Sequence, residues 1–128
     1  MLKLCQDQKI AVIPYAPVAK GLLTRKPSKE RNETLRAQTD AVGKRMYNEE
    51  DLTIAQRVYD VAEARGLPMA QVALAWILSK PVVTAPIIGA TKPHHLEDAA
   101  AAVSIQLTPD EIRHLEEAYQ PHPTLGFS

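Results

Sequence analysis

Apolar positions along this chain follow two rhythms. Ile10-Ala11-Val12-Ile13 is a short unbroken apolar run closed by Pro14, and Val82-Val83-Thr84-Ala85-Pro86-Ile87-Ile88 is another. Runs of this length without polar alternation fit strands buried on both faces, the type that parallel sheets use. Pro86 has no N–H to donate, so it belongs at a strand end or an irregularity. The remaining apolar residues keep helical spacing. Met1 to Gln8 reads as the last turns of a helix, with Leu2, Leu4 and Cys5 along one side. Asn48 can cap a helix whose first turn holds Glu49, Glu50 and Asp51, where the helix dipole favours anions. Leu52, Ala55, Val58, Tyr59 and Ala62 follow on one face, and Gly66 ends the helix in the C′ role. A further helix begins near Pro68 as a first-turn proline. It is apolar nearly all round from Ala70 to Leu78, so it should be well buried.

Gly89-Ala90-Thr91-Lys92-Pro93 turns into a helix containing Leu96, Ala99, Ala100 and Val103. Thr108-Pro109-Asp110-Glu111 carries a strong start signal for the last helix: cap, first-turn proline, and a glutamate three residues on. Ile112, Leu115 and Ala118 follow, and Pro121-His122-Pro123 cannot continue it. Residues 22–47 interrupt this order. They form a long loop rich in Arg and Lys, and a segment of this length is either disordered or functional. The resulting order is helix end, strand, long loop, two helices, strand, helix, helix. Two parallel strands with helical crossovers and four or five helices make an α/β fold. Two strands cannot shield both faces and both edges from water, so residues 1–128 read as a single partial domain cut from a larger sheet or barrel.

Composition narrows the function classes. The chain has 128 residues, with 45% hydrophobic and 23% charged, ordinary for a soluble globular protein. Lys plus Arg (15) equals Asp plus Glu (15), which argues against nucleic acid or an anionic membrane as the main partner. No apolar run approaches the roughly 20 residues of a membrane span, and the N-terminus has no secretory apolar stretch. Cys5 is the one cysteine. A reducing, cytoplasmic setting is therefore the expectation.

The best site for chemistry is Gly89-Ala90-Thr91-Lys92, between strand and helix. Backbone N–H groups that open a helix lack internal partners and attract anions. Lys92 and the Thr91 hydroxyl would complete a phosphate cradle. The plainer alternative is an ordinary turn with Thr91 as helix cap, which spacing alone favours. Tyr15 follows directly on a strand, where α/β folds bind ligands, and its ring could stack on a cofactor or simply pack. Lys26 and Arg36 could clamp a pyrophosphate or remain solvated. His94 and His95 are adjacent and should diverge, so they form no paired metal site, and no zinc-type spacing appears. Cys5 and Trp76 read as core residues.

Taken together, these segments resemble the aldo-keto reductases. Val12-Ile13-Pro14-Tyr15-Ala16-Pro17-Val18-Ala19-Lys20-Gly21-Leu22-Leu23-Thr24 resembles that family's seventh-strand region. Ala70-Gln71-Val72-Ala73-Leu74-Ala75-Trp76-Ile77-Leu78 looks like its helix before the eighth strand. Pro86 to Asp98 looks like its eighth strand and phosphate-binding helix, and Leu107 to Ile112 is similar to its last helix. The segment at Met1 resembles the sixth helix. The resemblance implies the C-terminal fragment of a (β/α)8 TIM barrel that binds NADP(H) at the C-terminal face.

By this resemblance Tyr15 would stack on the nicotinamide. Ala16, Pro17, Val18, Ala19 and Lys20 would run under the ribose and pyrophosphate, and Lys26 and Arg36 would fold over the pyrophosphate. Gly89, Ala90, Thr91 and Lys92 would hold the adenosine 2′-phosphate, with His95 nearby and Asp98 on the adenosine. Ala16, Val18, Lys92 and Ala99 depart from the residues common there (Ser, Leu, Arg and Asn). The family's catalytic Tyr, Lys, Asp and His come from earlier strands, and Tyr47, Tyr59 and Tyr119 do not occupy that motif. No catalytic residue is assigned, and the chain alone is expected to be inactive. The expected role is part of an NADPH-dependent carbonyl reductase, completed by an N-terminal barrel piece. The alternative is a non-catalytic remnant or a helical protein-interaction module.

Overall fold

A computed structural model describes residues 1–27 and 49–121. Among these residues are five α-helices: α1 (Leu2–Asp7), α2 (Glu49–Arg65), α3 (Met69–Leu78), α4 (Pro93–Ala102) and α5 (Pro109–Glu116). A short irregular 3-10 segment, Ala19–Thr24, follows the first extended run. The Asn48 cap, most of the 22–47 loop and His122 lie outside the described residues.

The helices that set the core form for local reasons. The buried positions of α2, namely Ala55, Val58, Val61 and Ala62, repeat at intervals of three and four, as one face of a helix requires. Glu49, Glu50 and Asp51 occupy its first turn. At its end Gly66 adopts φ +64°, a conformation that costs a side chain and is free for glycine. The Leu67 N–H then donates to Ala62 O at 2.9 Å, and the Gly66 N–H to Glu63 O at 3.2 Å. That pair of bonds satisfies carbonyls the helix would otherwise leave open, and it turns Leu67 back onto the core.

Helix α3 is the centre of the molecule. Met69, Val72, Ala73, Leu74 and Ala75 are buried, and Val72 is fully enclosed. Pro68 precedes the helix as its N-cap instead of occupying the first turn. Val58, Val61, Ala62, Met69, Val72, Ala73 and Leu115 form one cluster, joining α2, α3 and α5. Val18 and Leu23 pack against the same cluster, so the chain after the first extended run is anchored to the helices.

The expected strands need correction. The two runs do lie parallel, but they meet only at two isolated bridges, Val12 with Val83 and Tyr15 with Ile87. The acceptors Val12 O and Pro14 O are two residues apart. Their donors, the N–H groups of Thr84 (2.9 Å) and Ile87 (2.8 Å), are three apart. A regular ladder would use the N–H of residue 86, and proline has none, so pairing skips to Ile87 and leaves a bulge. Burial on both faces is also not found: Ile10 and Ile13 are each 54% exposed. Val12, Val82 and Val83 are half-buried, so the cover over these runs is partial.

Helix α4 departs from expectation too. Leu96 and Val103 are largely exposed, whereas Ala102 is buried and Asp98 and Ala99 are half-buried. Small side chains let α4 approach α3 closely, which selects this face over the one bearing Leu96.

Helix α5 is fastened to α2 and α3 by charge. Thr108 and Glu111 form a capping box, with Thr108 N–H to Glu111 Oε2 at 2.7 Å and Glu111 N–H to Thr108 Oγ1 at 3.2 Å. The other Glu111 oxygen accepts from Arg65 Nε at 2.6 Å. Arg57 donates to His114 O at 2.6 Å and pairs with Glu117. Glu116 accepts from Trp76 Nε1 at 2.9 Å and pairs with Lys80, which also lies over the Trp76 ring.

Two outcomes follow for stability. Gly66→Ala should cost about 1 kcal/mol in urea denaturation, because the positive φ strains any side chain although no atom lies within 4 Å of the new Cβ. The second concerns acid. Partial burial raises the Glu111 pKa, but the Thr108 N–H and the Arg65 guanidinium outweigh it and hold the carboxyl below its ordinary value. The Lys80 ammonium does the same for Glu116, against a smaller rise from burial and with help from the Trp76 N–H. A carboxyl lowered in the folded state binds fewer protons there than in the unfolded chain. The stabilisation is therefore complete above the ordinary carboxylate range and is lost as pH falls through the lowered values. Glu111→Gln should flatten the acid limb of a plot of melting temperature against pH; an unchanged limb would remove Glu111 from this role.

Candidate functional site

Parallel pairing fixes where the interesting loops lie. Because both runs point the same way, their carboxyl ends share one end of the pair. The bridge between Tyr15 and Ile87 sets Tyr15 level with a residue two positions before Gly89. The Tyr15–Lys20 segment and the Gly89–Lys92 segment thus leave the same end of the structure. In α/β folds this is where ligands bind.

The first segment is shaped by its backbone. Ala16, Ala19 and Lys20 have φ of 51°, 49° and 53°, in the left-handed region that side chains disfavour. Ala19 N–H to Ala16 O and Gly21 N–H to Val18 O, both 2.9 Å, hold the turn. Pro17 is buried, and Val18 packs on the helical core. Those two side chains anchor the turn, and Tyr15, Ala16 and Lys20 are left at its exposed surface. Tyr15 is 80% exposed, so it is not a packing residue in this chain.

The second segment is open. Gly89, Ala90, Thr91 and Lys92 are all exposed. Lys92, in extended conformation, is the N-cap of α4, and Pro93 holds the first helical position. Thr91 is therefore not the cap. The Lys92 side chain has no hydrogen bond or ion pair among the described residues. An uncompensated ammonium beside a helix start fits a multiply charged anion such as a phosphate. His95 reaches back, and its Nδ1 accepts from the Thr91 N–H at 3.4 Å.

The neighbouring histidines do not diverge as expected. The His94 and His95 rings meet edge to face, with centroids 4.5 Å apart. They sit in the first turn of α4, where no preceding turn restricts their side-chain rotamers. Among the described residues no group of three or more His, Cys, Asp or Glu is placed to hold a metal ion, and no helix is long and apolar enough to cross a membrane.

Asp98, one turn into α4, accepts from Gln71 Nε2 of α3 at 2.8 Å, and both residues are half-buried. Lys26 does not reach toward the other segments. Its ammonium lies over the Tyr59 ring of α2, 4.8 Å from the centroid. Arg36 lies outside the described residues. Sequence reasoning missed Gln71 and Tyr59 as partners. Gln71 had a usable signal: it is the only amide or charged side chain in an otherwise apolar helix.

Two parallel extended segments, crossover helices between them, and paired loops at their carboxyl ends define an α/β unit. Comparison with known proteins gives the class a name. The family model described as "Aldo/keto reductase family" matches residues 1–120, and the chain belongs to this family. It is 41% identical, over its whole length, to an aldo-keto reductase of Fusarium vanettenii, covering 34% of that protein. It is 42% identical to versiconal hemiacetal acetate reductase of Aspergillus parasiticus, over 96% of this chain and 37% of that one. The chain thus spans about a third of the length of these relatives. Among solved structures, 99% of it superposes on 41% of the glycerol dehydrogenase of Gluconobacter oxydans, with a TM-score of 0.71 at 23% identity. A thermostable aldo-keto reductase solved with the inhibitor epalrestat matches 92% of this chain and 33% of its own, with a TM-score of 0.61 at 22% identity. The fold is that of part of a (β/α)8 barrel.

Proposed function

We propose that this chain is the cofactor-holding C-terminal part of an NADP(H)-dependent carbonyl reductase. The observation that carries the reading is the common end shared by Tyr15–Lys20 and Gly89–Lys92, with the unpaired Lys92 ammonium at the start of α4. Relatives whose names describe a reductase or a putative aryl-alcohol dehydrogenase support a carbonyl–alcohol oxidoreductase. The cofactor, when bound, supplies a hydride for the substrate carbonyl carbon.

The chain's own residues bind and orient. Tyr15 offers an exposed flat ring for the nicotinamide. The turn from Ala16 to Lys20 passes beneath the ribose and pyrophosphate. Gly89, Ala90, Thr91 and Lys92 take the 2′-phosphate, a dianion that rewards charge-assisted donors and favours NADPH over NADH. His95 and Asp98 flank the adenosine. Lys26 and Arg36 serve the pyrophosphate, and for Lys26 this requires leaving Tyr59. Nothing in this set donates the proton that the reduced oxygen needs. The family's Tyr, Lys, Asp and His lie on earlier strands, so a complementary N-terminal barrel piece completes the enzyme, in a cytoplasmic setting.

A second reading has its own observation. Ile10, Ile13, Ile87 and Leu96 are more than half exposed, an apolar surface of the kind that meets another protein. In that case the chain is a non-catalytic module.

Titrating the chain with each dinucleotide, followed by nicotinamide fluorescence, separates the readings. NADPH should bind at least tenfold tighter than NADH, and Lys92→Met should erase roughly tenfold of NADPH affinity while leaving NADH unchanged. Equal binding of both, or equal losses on substitution, would sink the 2′-phosphate assignment. NADPH oxidation with an aldehyde should be absent for the chain alone.

A further inference from the structure

We propose that the outer edge of the first extended run pairs with the same edge of a second copy of this chain, antiparallel and centred on Ile13. The inference goes beyond the cofactor reading and does not depend on it. Val12 O and Pro14 O both accept from the second run. Backbone groups of alternate residues in an extended chain point to opposite sides. Ala11, Ile13 and Tyr15 therefore direct their N–H and C=O groups away from that run. None of these groups has a hydrogen-bond partner among the described residues. A row of open donors and acceptors is a template for another strand. The second run offers no such row. Its Val83 N–H already donates to Lys80 O at 2.9 Å, and Pro86 has no N–H.

The partner that fits this edge is the edge itself. Residues 11, 13 and 15 are evenly spaced about Ile13. A twofold axis there sets Ile13 against Ile13, and Ala11 against Tyr15 of the second copy, so every outward N–H meets a C=O. The small Ala11 side chain leaves room for the exposed Tyr15 ring. Residues 10–19 carry no charged side chain, and the nearest charges along the chain, Lys9 and Lys20, fall outside the paired residues. No like charges meet, and the edge lacks the inserted charge that keeps other edges apart. Ile10 and Ile13, each 54% exposed, add apolar surface to the contact. This patch is well short of the roughly 20–30 residues a side of a standard interface, which sets the dissociation constant on the order of 10 μM.

Sedimentation velocity of the full chain between about 1 and 100 μM reads the association, and the wild-type chain should pass from monomer to dimer across that range. Ile13→Lys and Ile13→Glu each put like charges on the axis. Each variant should stay monomeric, with an unchanged far-ultraviolet circular dichroism spectrum. An equimolar mixture of the two variants should dimerise again, because lysine then faces glutamate. Only a contact in which Ile13 meets its own counterpart gives that recovery. A wild-type chain that remains monomeric at the top of the range overturns the proposal. So do variants that dimerise as the wild type does, which puts the contact elsewhere, and a mixture that stays monomeric. Growth beyond two copies overturns it as well, since a twofold pair is closed.

Discussion

The constraint on which this structure depends is the direction of one pairing. Two extended runs lie parallel, and parallel runs cannot be joined by a tight turn. The chain must travel back the length of the pair before the second run begins, and the path ends with α2 and α3. Those helices supply the core, and the core in turn anchors Val18 and Leu23 just beyond the first run. The same parallel sense that demands the crossover also brings the Tyr15 and Gly89 segments to one end. The core and the shared end of these two segments are consequences of a single topological fact.

Helix α5 shows how economical the polar contacts are. Glu111 uses one oxygen to cap its own helix and the other to hold Arg65 of α2. Glu116 joins Trp76 of α3 and Lys80, just past the end of that helix, through one carboxylate. Such pairs are too exposed to dominate stability, and burial of Leu115 contributes the apolar part of the contact. The ion pairs instead fix how α5 sits, since Arg57 and Arg65 tie it to α2 and Lys80 ties it to the chain just past α3.

Much of this was legible in the sequence wherever a local rule dictates the outcome. The capping box at Thr108 and Glu111, the glycine stop at Gly66 and the burial of α3 follow from neighbouring residues, and neighbours are what a sequence displays. Pro86 announced an irregularity, and the missing N–H places it where the pairing skips. What could not be read depends on distant partners. Apolar runs read as doubly buried strands, but burial requires neighbours, and Ile10 and Ile13 have too few. The face of α4 was ambiguous because helical spacing allows two phases, and the approach of α3 decides between them. Of the candidate site, the Gly89–Lys92 segment and Tyr15 stood out in sequence as candidates for chemistry, and both are exposed. The bond between Gln71 and Asp98 did not stand out, since no spacing rule links two helices 27 residues apart.

The resting place of Lys26 carries a consequence of its own. An ammonium over an aromatic ring gains roughly 0.5–1 kcal/mol at an exposed site. Any anion that recruits this lysine must first overcome that hold, which lowers the anion's apparent affinity by a few-fold. Linkage makes the relation reciprocal: occupancy by the anion would loosen the grip of α2 on residues around Lys26 by the same factor. Tyr59 would in this way act as a counterweight to any anion that draws Lys26 away.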